Sequence, residues 1–324
     1  MANTIPFHDW LKHLDSEYLS TFIRDGGASI KFAVTKDDLK PELYHAVESK
    51  GRGLGYLVVR LDAADIRVHM PQDIFFGMAK QVNWRHLARR FILRLAKECG
   101  YGVDDVNPGD AENIFKIIGR RNSGLNRVLD SEAVLRELRP ELEAQVAQEY
   151  RMAKDFRVAM SHLCLRENVH PSQEYTAQPL IDWLTGEKTR ISSVRPFSIY
   201  TAINRTTSRH FLESALFWFK HVGYAGTVIV LDNSRIALSS DPKDGRRYYT
   251  KAMVMDHYEI LREFVDGIDR LSGALLVIVT SSEFLNEDNR SRGFGLYQAL
   301  MTRIMDDVRD KNLVNPIASL VRLS

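Results

Sequence analysis

Gly223 to Asn233 reads GYAGTVIVLDN. A glycine-containing turn leads into Thr227 to Leu231, mostly β-branched, and the run ends on Asp232. A short apolar run bounded by turn residues predicts a strand buried on both faces, hence a central strand of a parallel sheet. An acid at the carboxyl end of such a strand stands at the crevice where open α/β sheets bind ligands. The plainer alternative is that Asp232 only caps the next turn.

Working outward, the same pattern recurs in ASIKFAV, ending at Val34, in YLVVRLDAAD, starting at Tyr56, and in ALLVIVTSSEF at 274–284. Between the first two, Leu39, Leu43 and Val47 fall at helical spacing over 38–50, with Pro41 tolerable in the first turn. Residues 27–62 thus form a strand–turn–helix–strand unit, the building block of a parallel sheet. Helical periodicity also covers 7–25 (Trp10, Leu11, Leu14, Tyr18, Phe22), 74–99, the stretch through Phe211, Leu216 and Phe219, the one through Met255, Tyr258 and Leu261, and about 296–310. The expected fold is α/β: a mostly parallel sheet with strands near 29–34, 56–62, 227–231 and 274–280 and helices on both faces. Residues 104–180 change character. Polar turns punctuate helical segments at 131–138 and 141–164, which reads as a helical insertion. Residues 1–103 and 181–324 are then two parts of one core.

The strand–turn–helix at 28–50 has the topology of a P-loop unit, so its turn decides the chemistry. A P-loop reads GxxxxGK followed by Ser or Thr: the glycines let backbone N–H groups close on the phosphates, and the lysine reaches the outer ones. Here the turn reads VTKDDL, with no glycine and with Asp37 and Asp38 where phosphate would be cradled. Two carboxylates at short range repel a triphosphate. Lys36 stands at the wrong distance from a helix start. The reading is a P-loop lost or never present, with Asp37 or Asp38 capping the following helix.

Composition narrows the classes. A net charge of +2 over 324 residues leaves nucleic-acid binding to a local patch. Two such patches stand out: Arg85, Arg89, Arg90, Arg94 and Lys97 on one helical face, and the loop RRNSGLNR with Arg120, Arg121 and Arg127. Both are nucleic-acid or partner contacts at best and solvated charges otherwise. Cys99 and Cys164 have neither pairing nor metal spacing and are expected to be structural thiols of a reducing cytoplasm. No apolar run reaches the length of a membrane span and the amino terminus lacks a signal-type core, so a cytoplasmic protein is expected.

Four stretches, in this order, resemble the BrxD-like P-loop ATPases of bacterial phage-defence (BREX-type) systems, a family of AAA/STAND type. FIRDGGASIKFAV is similar to the segment leading into that family's P-loop. DWLTGEKTRISSVRPFSIYTAINR together with GYAGTVIVLDN is similar to the approach to its Walker B. REFVDGIDRLSGALLVIVTSSEFLNEDNRSRGFGLYQALMTRI is similar to its sensor-1 strand and the helix beyond, and NPIASLVRLS to the segment that follows. The resemblance implies a nucleotide position that is vestigial here. Thr35 and Lys36 lie at the P-loop, Asp232 and Asn233 at Walker B, Thr280 at sensor-1, and Arg303 resembles an arginine finger. Asp232 would hold magnesium only with nucleotide bound. Where the family has Asp-Glu, this chain has Asp232-Asn233, and an amide cannot take a proton from water.

The expected function is a non-catalytic NTPase-fold subunit of a defence or DNA-modification complex, a scaffold or regulator working with other subunits of the system. No cofactor is expected. One alternative is a divergent ATPase that binds ATP and magnesium and couples them to DNA sensing or processing. Another is a DNA-binding module built on the two basic patches. In the scaffold reading, Asp37 and Asp38 would offer a partner's Lys or Arg a charge-assisted contact where phosphate would otherwise sit.

Overall fold

In a computed structural model of the protein, residues 4–124, 128–168, 176–188, 190–285, 292–305 and 314–324 are described. The strands are β1 (Ala28–Val34), β2 (Leu57–Asp62), β3 (Thr227–Asp232), β4 (Ala274–Thr280) and β5 (Leu320–Arg322). The helices, in chain order, are α1 (Phe7–Leu14), α2 (Lys40–Gly53), α3 (Pro71–Ala79), α4 (Trp84–Glu98), α5 (Ile114–Asn122) and α6 (Ser131–Leu142), then α7 (Lys154–Leu165), α8 (Gln178–Thr185), α9 (Ser208–His221), α10 (Lys251–Asp266) and α11 (Gln298–Ile304). The chain divides into two units, residues 1–78 with 224–324, and residues 79–223. The insertion expected over 104–180 falls inside the second unit, which also takes in 79–103 and 181–223.

The first unit holds the sheet, in the order β2-β3-β4-β1-β5, every pair parallel. The VIVL run is central, as its two-sided apolar character requires. It pairs with β2 from Leu57↔Thr227 to Asp62↔Asp232, and with β4 from Thr227↔Ala274 to Asp232↔Val279. Alternation sends Ala33, Val228, Val230, Leu275, Val277 and Val279 to one face, where they pack with Trp10, Leu14, Leu43 and Val47 of α1 and α2. On the other face Phe32 stacks on Phe284 at 6.1 Å, and Phe284 meets Tyr258 of α10 edge-on at 5.9 Å. Each large apolar side chain enclosed this way contributes about 1.5–3 kcal/mol. The carboxy-terminal segment that sequence left between strand and docking piece is β5 at the edge, parallel to β1. Beyond it, Ile5 bridges Leu323 and Phe7 N–H donates to the Ser324 carbonyl at 2.9 Å.

The second unit is built from α4 to α9 around a cluster of rings. Trp84 meets Phe156 and Phe219, Phe91 meets Trp218, and Phe211 meets Trp183. Among the described residues, no helix is long and apolar enough to cross a membrane.

Two helical expectations change in detail. Residues 7–25 are not one α-helix: α1 ends at Leu14 and Asp15–Phe22 continues in π-helical form. There the Thr21 hydroxyl donates to the Glu17 and Ser16 carbonyls, competing with the regular ladder. Residues 141–164 are not continuous either. The chain leaves helix after Ala147 and re-enters at Lys154, because Ser214 Oγ captures the Ala153 N–H at 2.8 Å and Glu149 the Arg151 N–H at 3.0 Å.

A buried histidine gives the first unit a pH dependence. His257 of α10 is fully enclosed and its Nδ1 donates to the Val68 carbonyl at 3.0 Å. Burial, with a smaller push from the nearby His69, lowers its pKa from the ordinary 6.5 to about 4, against the hydrogen bond to Val68, which raises it. Above pH 6.5 folded and unfolded states are both neutral there. Below it the unfolded chain takes a proton that the fold refuses, so stability falls between pH 6.5 and 4, by up to about 1.4 kcal/mol per pH unit. The stability advantage of the protein over a His257→Asn variant, measured as urea midpoints, is therefore expected to shrink as pH drops from neutral into that window. An advantage that stays level would contradict the assignment.

Candidate functional site

In the sheet order β2-β3-β4-β1-β5, the connection leaving β1 runs towards β2 while the one leaving β4 runs past β1 to β5. Adjacent strands whose outgoing connections part in opposite directions open a crevice at their carboxyl ends. Thr35 and Thr280 lie at those ends, and Asp232 and Asn233 at the carboxyl end of the neighbouring β3. The backbone ties them together: Thr35 N–H donates to the Thr280 carbonyl at 2.9 Å, and Asn233 N–H to the Val279 carbonyl at 2.7 Å.

The side chains that fill this place come from α2. Lys40 is its first residue and is buried, and its Nζ donates to Asp37 Oδ1 and to Ser234 Oγ. One turn on, Tyr44 donates from Oη to Asp232 Oδ2 at 2.6 Å, while Ser234 N–H donates to Asp232 Oδ1 at 3.0 Å. The Arg60 guanidinium lies over the Tyr44 ring at 4.0 Å. Burial alone would raise the Asp232 pKa. The Tyr44 hydrogen bond, the Lys40 ammonium and Ser234 outweigh it and hold the carboxyl below its usual range, so it is ionised. Tyr44 is pushed the other way, by burial and then by Asp232, and stays a permanent donor. Asp62 stands beside Asp232 in register; burial first, and then the Asp232 charge, raise its pKa against the bond it accepts from Ala64 N–H at 2.7 Å.

Lys40, Tyr44, Ser234 and Asp62 are absent from the residues singled out by sequence. For Lys40 a signal existed. Counting GxxxxGK from Val34, the last residue of β1, sets the lysine on Lys40, the first residue of the helix. Val34 and Leu39 stand where the glycines belong and Pro41 where the hydroxyl belongs. Lys36, like Asp38, is exposed on the turn. The capping role expected of Asp37 or Asp38 is not what the structure shows. The helix cap is Leu39 with no side-chain bond, because the Asp37 carboxylate is turned to the Lys40 side chain.

Whether these residues suit a nucleotide triphosphate can be tested on the turn itself. No residue of 35–39 has a positive φ, so consecutive N–H groups do not curve into an anion-holding nest. The lysine carries a carboxylate of its own chain. Asn233 and Thr280 are fully buried, and the Asn233 amide atoms and Thr280 Oγ1 have no protein hydrogen-bond partner. They are enclosed rather than presented to the crevice. The donor types resemble those of a phosphate site, but the turn does not fit a triphosphate. Among the described residues, no group of three or more His, Cys, Asp or Glu is placed to hold a metal ion.

The other candidates lie elsewhere. Arg303 of α11 pairs with Asp266 of α10 and donates to the Ala299 carbonyl at 2.6 Å. In the second unit, Arg85 and Arg89 face Glu167 at 2.9 and 3.8 Å, and Arg89 also donates to the Glu112 carbonyl at 2.7 Å. Arg90 donates to the Gly223 carbonyl, Arg94 to Gln145, and Lys97 pairs with Asp104. Arg120 pairs with Glu112 and Arg121 with Asp105; Arg127 lies outside the described residues.

A family model for the BREX system ATP-binding protein BrxC/D matches residues 114–324. The match takes in β3, β4 and β5 and leaves out β1, the turn after it and Lys40. No curated protein and no solved structure matches the chain.

Proposed function

Because the chain belongs to the BrxC/D family of BREX system ATP-binding proteins, we propose that it serves such a system as an NTPase-fold subunit without ATP turnover, a scaffold or regulator. One observation carries the reading: the lysine and the acid of the crevice, Lys40 and Asp232, are bonded to Asp37, Ser234 and Tyr44 of the same chain. Asn233 adds to it. The position after the strand acid holds an amide, and loss of a general base typically costs roughly 10²–10⁴-fold in rate. What remains useful is the rigid parallel core, able to present the surfaces of an NTPase subunit to the other proteins of the system.

Purified protein is expected to show no ATP hydrolysis that an Asp232→Ala substitution removes. Turnover that the substitution abolishes would refute the reading. The same preparation should co-purify with other subunits when the whole system is expressed.

A second reading, retained ATP binding without hydrolysis, is supported by the placement of Lys40 at the helix start beside Asp232. It predicts a rise in melting temperature with ATP and magnesium, where the first reading predicts a flat response. The DNA-binding alternative has less support. The cations of α4, with Arg120 and Arg121, are engaged with acids, an amide and carbonyls of their own unit.

A further inference from the structure

We infer that Asp37, Lys40 and Tyr44 form an internal clasp that fills, with the chain's own charge and hydroxyl, the place where an NTPase fold would take a phosphoryl group and its divalent cation. This rests on the reading of a crevice without turnover and names what occupies it.

Lys40 and Tyr44 are four residues apart on α2 and so project from one face. Lys40 reaches Ser234 and Tyr44 reaches Asp232, both at the end of β3 and 194 and 188 residues away in sequence. Those two contacts buckle the helix onto the strand end. A carboxylate oxygen on a buried ammonium makes the same charge-assisted contact that a phosphate oxygen would make. The Asp37 side chain that supplies it is 86% exposed while the lysine it holds is 9% exposed. The anion therefore comes from the solvent side, the side from which a free phosphoryl group would arrive. Tyr44 plays the matching part for the cation. Its hydroxyl occupies Asp232 Oδ2, so one carboxylate oxygen is engaged where the acid would hold a cation, and its buried ring leaves that hydroxyl little freedom. The Asp37 carboxylate on Lys40 neutralises the ammonium that a phosphate oxygen would need, so the closed clasp does not leave that cation free for an incoming anion.

The probe is sodium tripolyphosphate, with and without magnesium, titrated calorimetrically into the full-length protein. Asp37 is exposed, so Asp37→Asn is expected to fold like the parent, which circular dichroism checks. Asp37→Asn should bind tripolyphosphate at least roughly tenfold more tightly than the parent, and Lys40→Met added to it should abolish the gain. Adding Tyr44→Phe to Asp37→Asn should make the binding stronger with magnesium present. Equal binding by the parent and Asp37→Asn, or none by either, overturns the clasp, as does a gain that survives Lys40→Met. A double variant indifferent to magnesium overturns the part assigned to Tyr44. ATP turnover by the parent would instead overturn the proposed function, so the two failures are told apart.

Discussion

Glu167→Ala is expected to destabilise the second unit by roughly 3–5 kcal/mol, the cost of breaking a buried ion pair from one side. Glu167 is fully buried; it receives Arg85 at 2.9 Å and lies 3.8 Å from Arg89, itself almost wholly enclosed. Removing the carboxylate takes away the acid that Arg85 and the enclosed Arg89 share, although the Arg85 side chain is 39% exposed. An exposed pair provides the control. Arg120→Ala, which breaks the contact with Glu112, should cost less than about 1 kcal/mol. Denaturant unfolding of both variants decides the matter; a loss from Glu167→Ala no larger than that from Arg120→Ala would mean that the basic face of α4 is not held by this acid.

Gly226→Ala should damage the sheet at its centre. A Cβ on Gly226 would lie 2.4 Å from the Gly273 carbonyl oxygen and 2.9 Å from the Tyr56 ring. The first neighbour is backbone, and it accepts the Thr227 N–H at 2.8 Å, the first rung between β3 and β4. The oxygen cannot retreat without opening that rung. The expected loss is roughly 3 kcal/mol, at the upper end of overpacking costs. Gly53→Ala, where an added Cβ meets nothing within 4 Å, is the matched control and should be neutral or better. Similar urea midpoints for the two variants would show that β3 and β4 tolerate separation at this end.

The strands were legible because their burial is two-sided and needs no knowledge of partners. VIVL in β3 and LLVIV in β4 can only be enclosed on both faces. The strand β5 was less so, since three residues become a strand only by lying beside β1. The crevice was legible through Asp232, which ends an apolar run, and much less through its partners. Tyr44 reads as an ordinary apolar position of α2, and nothing in the local sequence links it to a carboxylate 188 residues on. Lys40 was hidden for another reason: a P-loop is read by its glycines, and without them Lys36 drew attention to the wrong end of the turn. The basic face of α4 misleads in the same manner. Its arginines look solvent-bound until Glu112 and Glu167, distant in sequence, are seen to face them.

The sheet order also sets a timetable for synthesis. β1 neighbours β4 and β5, and β4 begins about 240 residues after β1 ends. At ~5–20 residues per second on the ribosome, β1 waits on the order of tens of seconds for its first neighbour. β2 waits about two thirds as long for β3, whereas residues 79–223 are translated without interruption. Two apolar strands are thus displayed on the nascent chain while the intervening helices are made, which is the situation that recruits chaperones and favours aggregation when expression is fast. Slower translation or added chaperone should therefore raise the soluble yield of this chain.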